Sequence, residues 1–134
     1  MAVLRAPGLS APTLRFAARP AASGDPAVVL GFPEDGPFTV RPARVRSRSQ
    51  VSGADIYGNG SVQREVYAVR AVVRSGNSGG PLLARGGAVL GVVFATALDS
   101  PDTGFVLTAG EVASDARQGR TATAPVTTGS CTSG

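Results

Sequence analysis

The sequence predicts an all-β fold: an antiparallel Greek-key barrel or sandwich followed by one short C-terminal helix. The 134-residue chain contains 18 Gly and 10 Pro, which divide it into short segments separated by turns. About seven of these segments are rich in residues that favour strands. They follow one another without helical periodicity between them, and this order argues against a parallel sheet with crossover helices.

The first three predicted strands cover residues 13–17, 27–32 and 38–49. Each is rich in residues that tolerate a pleated backbone, and each is bounded by Pro, Gly or Asp. Turn clusters at 23–26 and 33–37 separate these strands.

A Gly-Asn-Gly sequence at 58–60 supplies residues that accept a positive φ, which predicts the tip of a hairpin. The remaining strands are predicted at 65–74, 81–84, 88–95 and 105–108. Gly86-Gly87 closes the pair 81–84 and 88–95 into a second hairpin.

Only residues 109–117 have a helical composition. Thr108 stands at the N-cap position, three residues before Glu111, as in a capping box. The length suits one domain, predicted over residues 1–120. The small, polar residues 121–134 are predicted to form a flexible tail.

The residue inventory excludes several kinds of chemistry. The chain has no His and one Cys, so the common zinc sites, a CxxC redox pair and an internal disulfide are excluded. All 13 basic residues are Arg, which excludes a P-loop lysine and a Schiff-base lysine. No apolar run approaches the roughly 20 residues that span a bilayer, and no signal peptide is visible. We predict no cofactor and no metal.

Clustered basic charge at Arg41, Arg44, Arg46 and Arg48 is compatible with a nucleic-acid interface. The last three share one parity along a predicted strand, which indicates a solvated face of the sheet. Few aromatic residues are available to stack on bases. The prediction is therefore no nucleic-acid partner.

The most informative segment covers residues 74–82, Arg-Ser-Gly-Asn-Ser-Gly-Gly-Pro-Leu. It is not a phosphate-binding loop, because the glycine spacing is wrong and no Lys follows. Gly76, Ser78 and Gly80 match the G-x-S-x-G consensus of a nucleophile elbow. An elbow continues into a helix, however, whereas this segment is predicted to continue as a strand. Two interpretations stay open: a glycine-rich turn, or a serine nucleophile beside backbone amides that form an oxyanion hole.

Gly-Asn-Ser-Gly-Gly-Pro-Leu at residues 76–82 resembles the nucleophile signature of the trypsin/chymotrypsin-like serine proteases. By this resemblance Ser78 is the nucleophile, and the amides of Gly76 and Ser78 are the oxyanion donors. Asn77 stands where animal digestive enzymes have Asp. This difference argues against activation by an N-terminal ammonium group that pairs with a buried Asp.

Further stretches are similar to one group, the membrane-tethered periplasmic serine proteases of actinobacteria. They cover residues 2–4, 31–33, 36–38, 55–58, 90–94 and 102–109. Proteases of this family fold as two six-stranded barrels with the active site between them, and this chain resembles the second barrel only. The resemblance implies a periplasmic or extracytoplasmic location, with a membrane tether elsewhere in the full-length protein.

The resemblance also implies that the triad His and Asp lie outside this chain, the Asp just upstream of residues 2–4. A serine without a general base is a poor nucleophile, so we expect a peptidase by family whose isolated second barrel is inactive. The expected partners are a peptide or protein substrate and the missing first barrel, with self-association through the face that the first barrel would cover. The alternative is a non-catalytic β-barrel binding module or pseudoprotease.

The same resemblance assigns a substrate pocket with Phe94, Ala95 and Thr96 as its wall and Val72 and Val73 near its base. No carboxylate lies at that base, so a neutral apolar residue before the scissile bond is expected rather than Arg or Lys. The alternative is that Val72 and Val73 belong to the ordinary barrel core.

Cys131 also has two interpretations. In the resembled family a cysteine near the C-terminus forms a disulfide with one near the start of the protease domain, and that partner is absent from this chain. Otherwise Cys131 is a free thiol on the tail.

Overall fold

A computed structural model describes residues 2–54 and 60–127. In these residues six strands are followed by one α-helix. The elements are β1 (Pro26–Gly31), β2 (Thr39–Ala54), β3 (Ser61–Arg70), β4 (Pro81–Ala84), β5 (Val89–Thr96), β6 (Thr103–Thr108) and α1 (Ala109–Thr121). A single turn of 3-10 helix at Pro33–Asp35 lies between β1 and β2.

The six strands close into an antiparallel barrel in the order β1-β2-β3-β6-β5-β4. Strands β4, β5 and β6 form a meander, and β3 lies beside β6, which is a Greek-key arrangement. Because β3 and β4 are not neighbours, the connection between them crosses one end of the barrel. The predicted all-β Greek-key fold with a short C-terminal helix is confirmed, as a barrel and not a sandwich.

The core lies inside the barrel and consists mainly of β-branched side chains at alternate strand positions. Its most deeply buried aliphatic members are Val29, Val45, Val69, Leu82, Val93 and Val106. Tyr67 is buried among them, and its hydroxyl accepts a hydrogen bond of 2.9 Å from the backbone N–H of Ala21. This bond holds the N-terminal segment against the barrel.

The prediction of a strand at 13–17 is wrong. Arg15 and Ala17 exchange backbone hydrogen bonds with Val89, but Phe16 forms only an isolated parallel bridge there. The barrel is already closed, so β5 has β4 and β6 as neighbours and no free edge along which this segment can extend.

Several boundaries also differ from the prediction: β1 and β5 are shifted by one residue, β6 begins at Thr103 and α1 ends at Thr121. Strand β2 continues to Ala54, because its last residues pair with β3 beyond the barrel. Strand β3 begins at Ser61 and ends at Arg70, rather than covering 65–74, because it pairs with the end of β2 at its start and its pairing with β6 stops at Arg70–Thr103. The predicted hairpin tip at 58–60 lies mostly outside the described residues.

Helix α1 begins as predicted at its N-cap, where the hydroxyl of Thr108 accepts the N–H of Glu111 at 3.2 Å. In a capping box the Glu111 carboxylate would accept the backbone N–H of Thr108, but here it bonds to β3 instead. Glu111 accepts the backbone N–H of Glu65, and Thr108 donates to the carboxylate of Glu65 at 2.9 Å. These bonds join the start of the helix to β3. In the described residues no helix is long and apolar enough to cross a membrane.

The arginines of β2 are exposed, as their parity predicts, although a bulge between Val45 and Ser47 makes Arg46 an extra residue in the β2–β3 pairing. Arg44, Arg46 and Arg48 have local partners. Arg46 donates to the hydroxyl of Thr103 at 3.1 Å. Arg44 donates to the carbonyl of Gly24 at 2.6 Å, and Arg48 lies 3.9 Å from Glu65.

Candidate active site

The segment singled out by the sequence lies on the connection from β3 to β4, residues 71–80, which we call the crossing loop. Gly76 and Gly79 have φ values of 88° and 84°, in the region that favours glycine. At Gly76 space is also limited, since a Cβ atom there would lie 2.5 Å from the carbonyl oxygen of Phe32. Only glycine fits this position without displacing the backbone.

Asn77 braces the crossing loop from inside and is 1% exposed. Its side-chain Oδ1 accepts the N–H of Arg74 at 2.9 Å, and its own N–H donates to the carbonyl of Arg74 at 3.0 Å. Its Nδ2 has no hydrogen-bond partner within the described part of the chain. This nitrogen faces β1, where a Cβ atom on Gly31 would lie 2.6 Å away.

Ser78 follows this brace and is exposed to solvent. The next residues are held on β5: Gly79 N–H donates to Val93 at 2.8 Å, and Val93 N–H donates to Gly80 at 2.9 Å. The N–H groups of Gly76 and Ser78 make no hydrogen bond to any of residues 2–54 and 60–127. An exposed hydroxyl beside two unpaired amide donors can serve acyl transfer when a base is supplied.

The turn at Pro33–Asp35 flanks the crossing loop. The N–H of Glu34 donates to the carbonyl of Ser75 at 2.8 Å. The carboxylate of Glu34 lies 3.2 Å from the guanidinium of Arg74. Glu34 and Asp35 have positive φ values of 56° and 54°, the only non-glycine residues with this property in the described ranges. The sequence contains no signal for these contacts beyond a turn-forming composition.

A cavity of about 300 Å³ opens beside the crossing loop. It is lined by Val72, Val73, Arg74, Thr96, Ala97, Leu98 and Pro101. Three of the five residues assigned to a substrate pocket, Val72, Val73 and Thr96, therefore come together. Among the described residues, no carboxylate is in the lining.

Phe94 and Ala95 are not in this lining. The pairing of β5 with β6 shifts register between Val93 and Ala95, so Phe94 is an extra residue in the ladder and is 43% exposed. The lining residues that the sequence analysis missed are Arg74 and those after β5. The latter come from a loop whose path depends on its contacts with β2 and β3.

Asp102 holds this loop, which forms one side of the cavity. Its carboxylate accepts a hydrogen bond of 3.0 Å from the Ser100 hydroxyl. It also lies 3.3 Å from Arg70 and 3.9 Å from Arg46. The loop is therefore tied by charge to β3 and β2.

Acid is expected to weaken this tie. The Ser100 hydroxyl, opposed by desolvation and aided by Arg46 and Arg70, lowers the pKa of Asp102 from its ordinary value of 3.8. A carboxylate whose pKa is lower in the folded state stabilises the fold above the unfolded pKa, and this contribution is lost as pH falls through the folded value. Urea unfolding should show the parent chain more stable than Asp102→Asn at about pH 6, with the difference shrinking as pH falls below the unfolded pKa, near 3.9. A difference that is constant over this range would contradict the prediction.

The metal-site prediction, Cys131 and residues 55–58 remain to be placed. No cluster of three or more His, Cys, Asp or Glu able to hold a metal occurs in the described residues. Cys131 and residues 55–58 lie outside the described residues.

Residues 1–92 match the family described as trypsin-like peptidase domain. Two curated proteins of Mycobacterium tuberculosis, serine protease Rv3671c of strain H37Rv and serine protease MT3772 of strain CDC 1551, are each 54% identical to this chain over 135 residues. The match covers 99% of this chain and 34% of each relative, so the chain spans about a third of their length.

Solved structures share the barrel. The active form of the Rv3671c protease matches with a TM-score of 0.89 over 95% of this chain and 56% of that one. Its inactive form matches with a TM-score of 0.76 over 84% and 57%. The serine endoprotease of Yersinia pestis, 18% identical with a TM-score of 0.65 over 87% and 38%, shares the fold. With 54% identity to the M. tuberculosis proteins across nearly its whole length and a family match over residues 1–92, the chain belongs to the trypsin-like serine peptidases.

Proposed function

We propose that this chain is the nucleophile-bearing second barrel of a trypsin-like serine endopeptidase. The observation that carries the proposal is the position of Ser78: it is exposed, on a loop braced by buried Asn77, beside the amides of Gly76 and Ser78, which have no partner among the described residues. The chain is also more similar to the active form of the Rv3671c protease than to the inactive one, by TM-scores of 0.89 and 0.76.

In the proposed reaction the Oγ of Ser78 attacks the carbonyl carbon of the scissile peptide bond while a base takes its proton. The carbonyl oxygen becomes an oxyanion that accepts hydrogen bonds from the two amides. The base then returns the proton to the leaving amine, and the C–N bond breaks to leave an acyl-enzyme. Water hydrolyses the ester and restores the Ser78 hydroxyl.

The base must come from outside this chain, which contains no His. The short span of the chain relative to the M. tuberculosis proteases, 34% of each, supports a first barrel as the source of the His and Asp. The isolated chain is therefore proposed to be inactive. We place the whole protein in the cell envelope, outside the cytoplasm, with Cys131 available for a disulfide to the missing part.

The cavity beside the crossing loop is proposed to hold the substrate side chain before the scissile bond. Its described lining contains apolar side chains, Thr96 and Arg74, whose guanidinium is paired with Glu34, and it contains no carboxylate to pair with a substrate cation. Val73 is 6% exposed and packs closely against β6, where a Cβ atom on Gly104 would lie 2.5 Å from Val73 Cγ2. A neutral, apolar substrate residue suits this depth and polarity.

Exposed apolar side chains form a face of the barrel that a partner could cover. Phe32 and Phe38 are 60% and 53% exposed, with ring centroids 5.5 Å apart, and lie at the same end of the barrel as the crossing loop. We propose that the first barrel and the substrate cover this face. The isolated chain is then expected to self-associate through it.

The second candidate is a non-catalytic barrel that retains the crossing loop as scaffold. It is favoured by the absence of His from the chain. The two candidates differ in whether Ser78 reacts once a first barrel is supplied.

Covalent labelling tests the proposal directly. A fluorophosphonate that forms a stable ester with an activated serine is applied to the chain alone and to the chain joined at its N-terminus to the first barrel of the Rv3671c protease, with intact mass as the readout. We expect labelling of the joined form only, lost in Ser78→Ala. Ser75→Ala is the matched control, since Ser75 is an exposed serine of the same loop.

Absence of labelling in both forms would favour the non-catalytic barrel. Peptide hydrolysis by the chain alone that Ser78→Ala abolishes would contradict the proposed dependence on a first barrel.

A further inference from the structure

The turn at Pro33–Asp35 combines unfavourable backbone geometry with contacts to the crossing loop. Two consecutive non-glycine residues, Glu34 and Asp35, have φ near 55°, a conformation that L-residues adopt at an energetic cost. Such geometry persists only where surrounding contacts hold it, and it is concentrated at functional sites. Glu34 supplies the contacts here, to Ser75 through its N–H and to Arg74 through its carboxylate.

The contact with Ser75 determines the orientation of one peptide unit. The carbonyl of Ser75 and the N–H of Gly76 belong to the same planar trans peptide and therefore point in opposite directions. Because the carbonyl is directed at the N–H of Glu34, the N–H of Gly76 is directed away from the turn. Rotation of this peptide would place the carbonyl oxygen where the N–H now points, and it would repel an oxyanion.

Close packing reinforces this orientation. A Cβ atom on Gly76 would lie 2.5 Å from the carbonyl oxygen of Phe32 and 3.1 Å from the backbone nitrogen of Glu34. The turn at Pro33–Asp35 thus packs directly against Gly76, whose amide is the proposed oxyanion donor. On the solvent side, two contacts of 3.2 and 3.3 Å join Arg74 to Glu34.

We propose that Glu34 is a positioning residue that holds the Ser75–Gly76 peptide in the orientation in which Gly76 donates to the oxyanion. The backbone N–H of Glu34 makes the more important contact, and the positive φ of Glu34 directs this N–H toward the carbonyl of Ser75. The ion pair with Arg74 is a weaker, solvent-exposed support. This inference rests on the proposed function and extends it to a residue outside the nucleophile motif.

Substitutions at Glu34 separate the backbone contribution from that of the carboxylate. Glu34→Gly keeps the N–H and favours the positive φ but removes the carboxylate. Glu34→Val keeps the N–H but resists a positive φ, and Glu34→Pro removes the N–H and fixes φ near −65°. Asp35→Val is the matched control, because Asp35 has the same φ while its N–H makes no hydrogen bond to the crossing loop in the described residues.

The two-barrel form is assayed for peptide hydrolysis, with kcat and KM determined separately and melting temperature recorded for each variant. An oxyanion contact acts mainly in the transition state, so its loss lowers kcat and leaves KM nearly unchanged. We expect kcat to fall about 10-fold in Glu34→Val and about 100-fold in Glu34→Pro, with KM within about 2-fold. Glu34→Gly should stay within about 5-fold of the parent, because it retains the N–H and favours the positive φ.

The control distinguishes positioning from stability. Asp35→Val should lower the melting temperature about as much as Glu34→Val while leaving kcat within about 2-fold of the parent. Equal kcat values in Glu34→Val and Asp35→Val would overturn the inference even if Glu34→Pro does not fold. If the parent two-barrel protein hydrolyses peptide through Ser78 and Glu34→Val does not lower its kcat, this inference alone is overturned. If Ser78 of the parent does not react, the proposed function is overturned as well.

Discussion

Replacing Gly91 with alanine is expected to prevent the barrel from closing. A Cβ atom on Gly91 would overlap the carbonyl oxygen of Leu107 and lie 2.7 Å from Val106 Cγ1. Both neighbours belong to β6, which pairs with β5 along its length. Because the closest atom is backbone, relief requires separation of the two strands, and we expect a loss of more than about 4 kcal/mol of stability.

Thermal and urea unfolding by circular dichroism measure this loss. A domain of this size loses roughly 3–5 °C of melting temperature per kcal/mol, so the transition should fall by more than about 12 °C or disappear. Gly53→Ala is the matched control, a strand glycine on β2 whose added Cβ would have no atom of the described residues within 4 Å. A melting temperature of Gly91→Ala within about 3 °C of the parent would show that the β5–β6 pairing adjusts more easily than its geometry indicates.

Asn77→Asp is expected to make the stability of the barrel fall steeply as pH rises. The new carboxylate would replace an amide that is 1% exposed and whose Nδ2 has no partner in the described residues. Burial raises the pKa of a carboxyl group when no cation lies beside it. An acid whose folded pKa lies above its unfolded pKa destabilises the fold as pH rises from the unfolded value, near 3.9, to the folded one. We expect a loss of about 2–4 kcal/mol at neutral pH and recovery near pH 4.

Urea unfolding of Asn77→Asp and Asn77→Leu at several pH values tests this expectation. Leucine has a similar shape but no charge, so its cost, including the lost bond to the N–H of Arg74, should not change with pH. Equal pH dependence in the two variants would indicate that water or a cation reaches this position.

Most strands could be predicted from the sequence because each is bounded by residues with strong local preferences. The predicted hairpin 81–84 and 88–95 agrees with β4 (Pro81–Ala84) and β5 (Val89–Thr96), and Gly87 takes the positive φ expected of its turn. The segment 13–17 has an equally favourable composition but is not a strand. Strand formation there depends on a free sheet edge, and closure of the barrel removes it.

The sequence prediction for the candidate site rests on one continuous motif. Ser78, Gly76 and Asn77 lie within three residues, and their arrangement on the crossing loop follows from two positive-φ glycines and a buried amide. The cavity is formed by segments on either side of β5 and was predicted only in part. The bulge at Phe94 moves that residue out of the regular pairing, and a register shift of one residue has no clear signal in composition.

The contact between Glu34 and Arg74 joins residues 40 positions apart and was not predicted. Turn composition at 33–37 indicates that the chain reverses there but not which loop it will contact. The strand segments, the helix start at Thr108 and the serine motif were determined by the sequence itself, since they depend on backbone preferences and side chains within a few residues. Barrel closure, the cavity and the orientation of the Ser75–Gly76 peptide were decided only by the tertiary structure, because each requires distant segments to meet in one register.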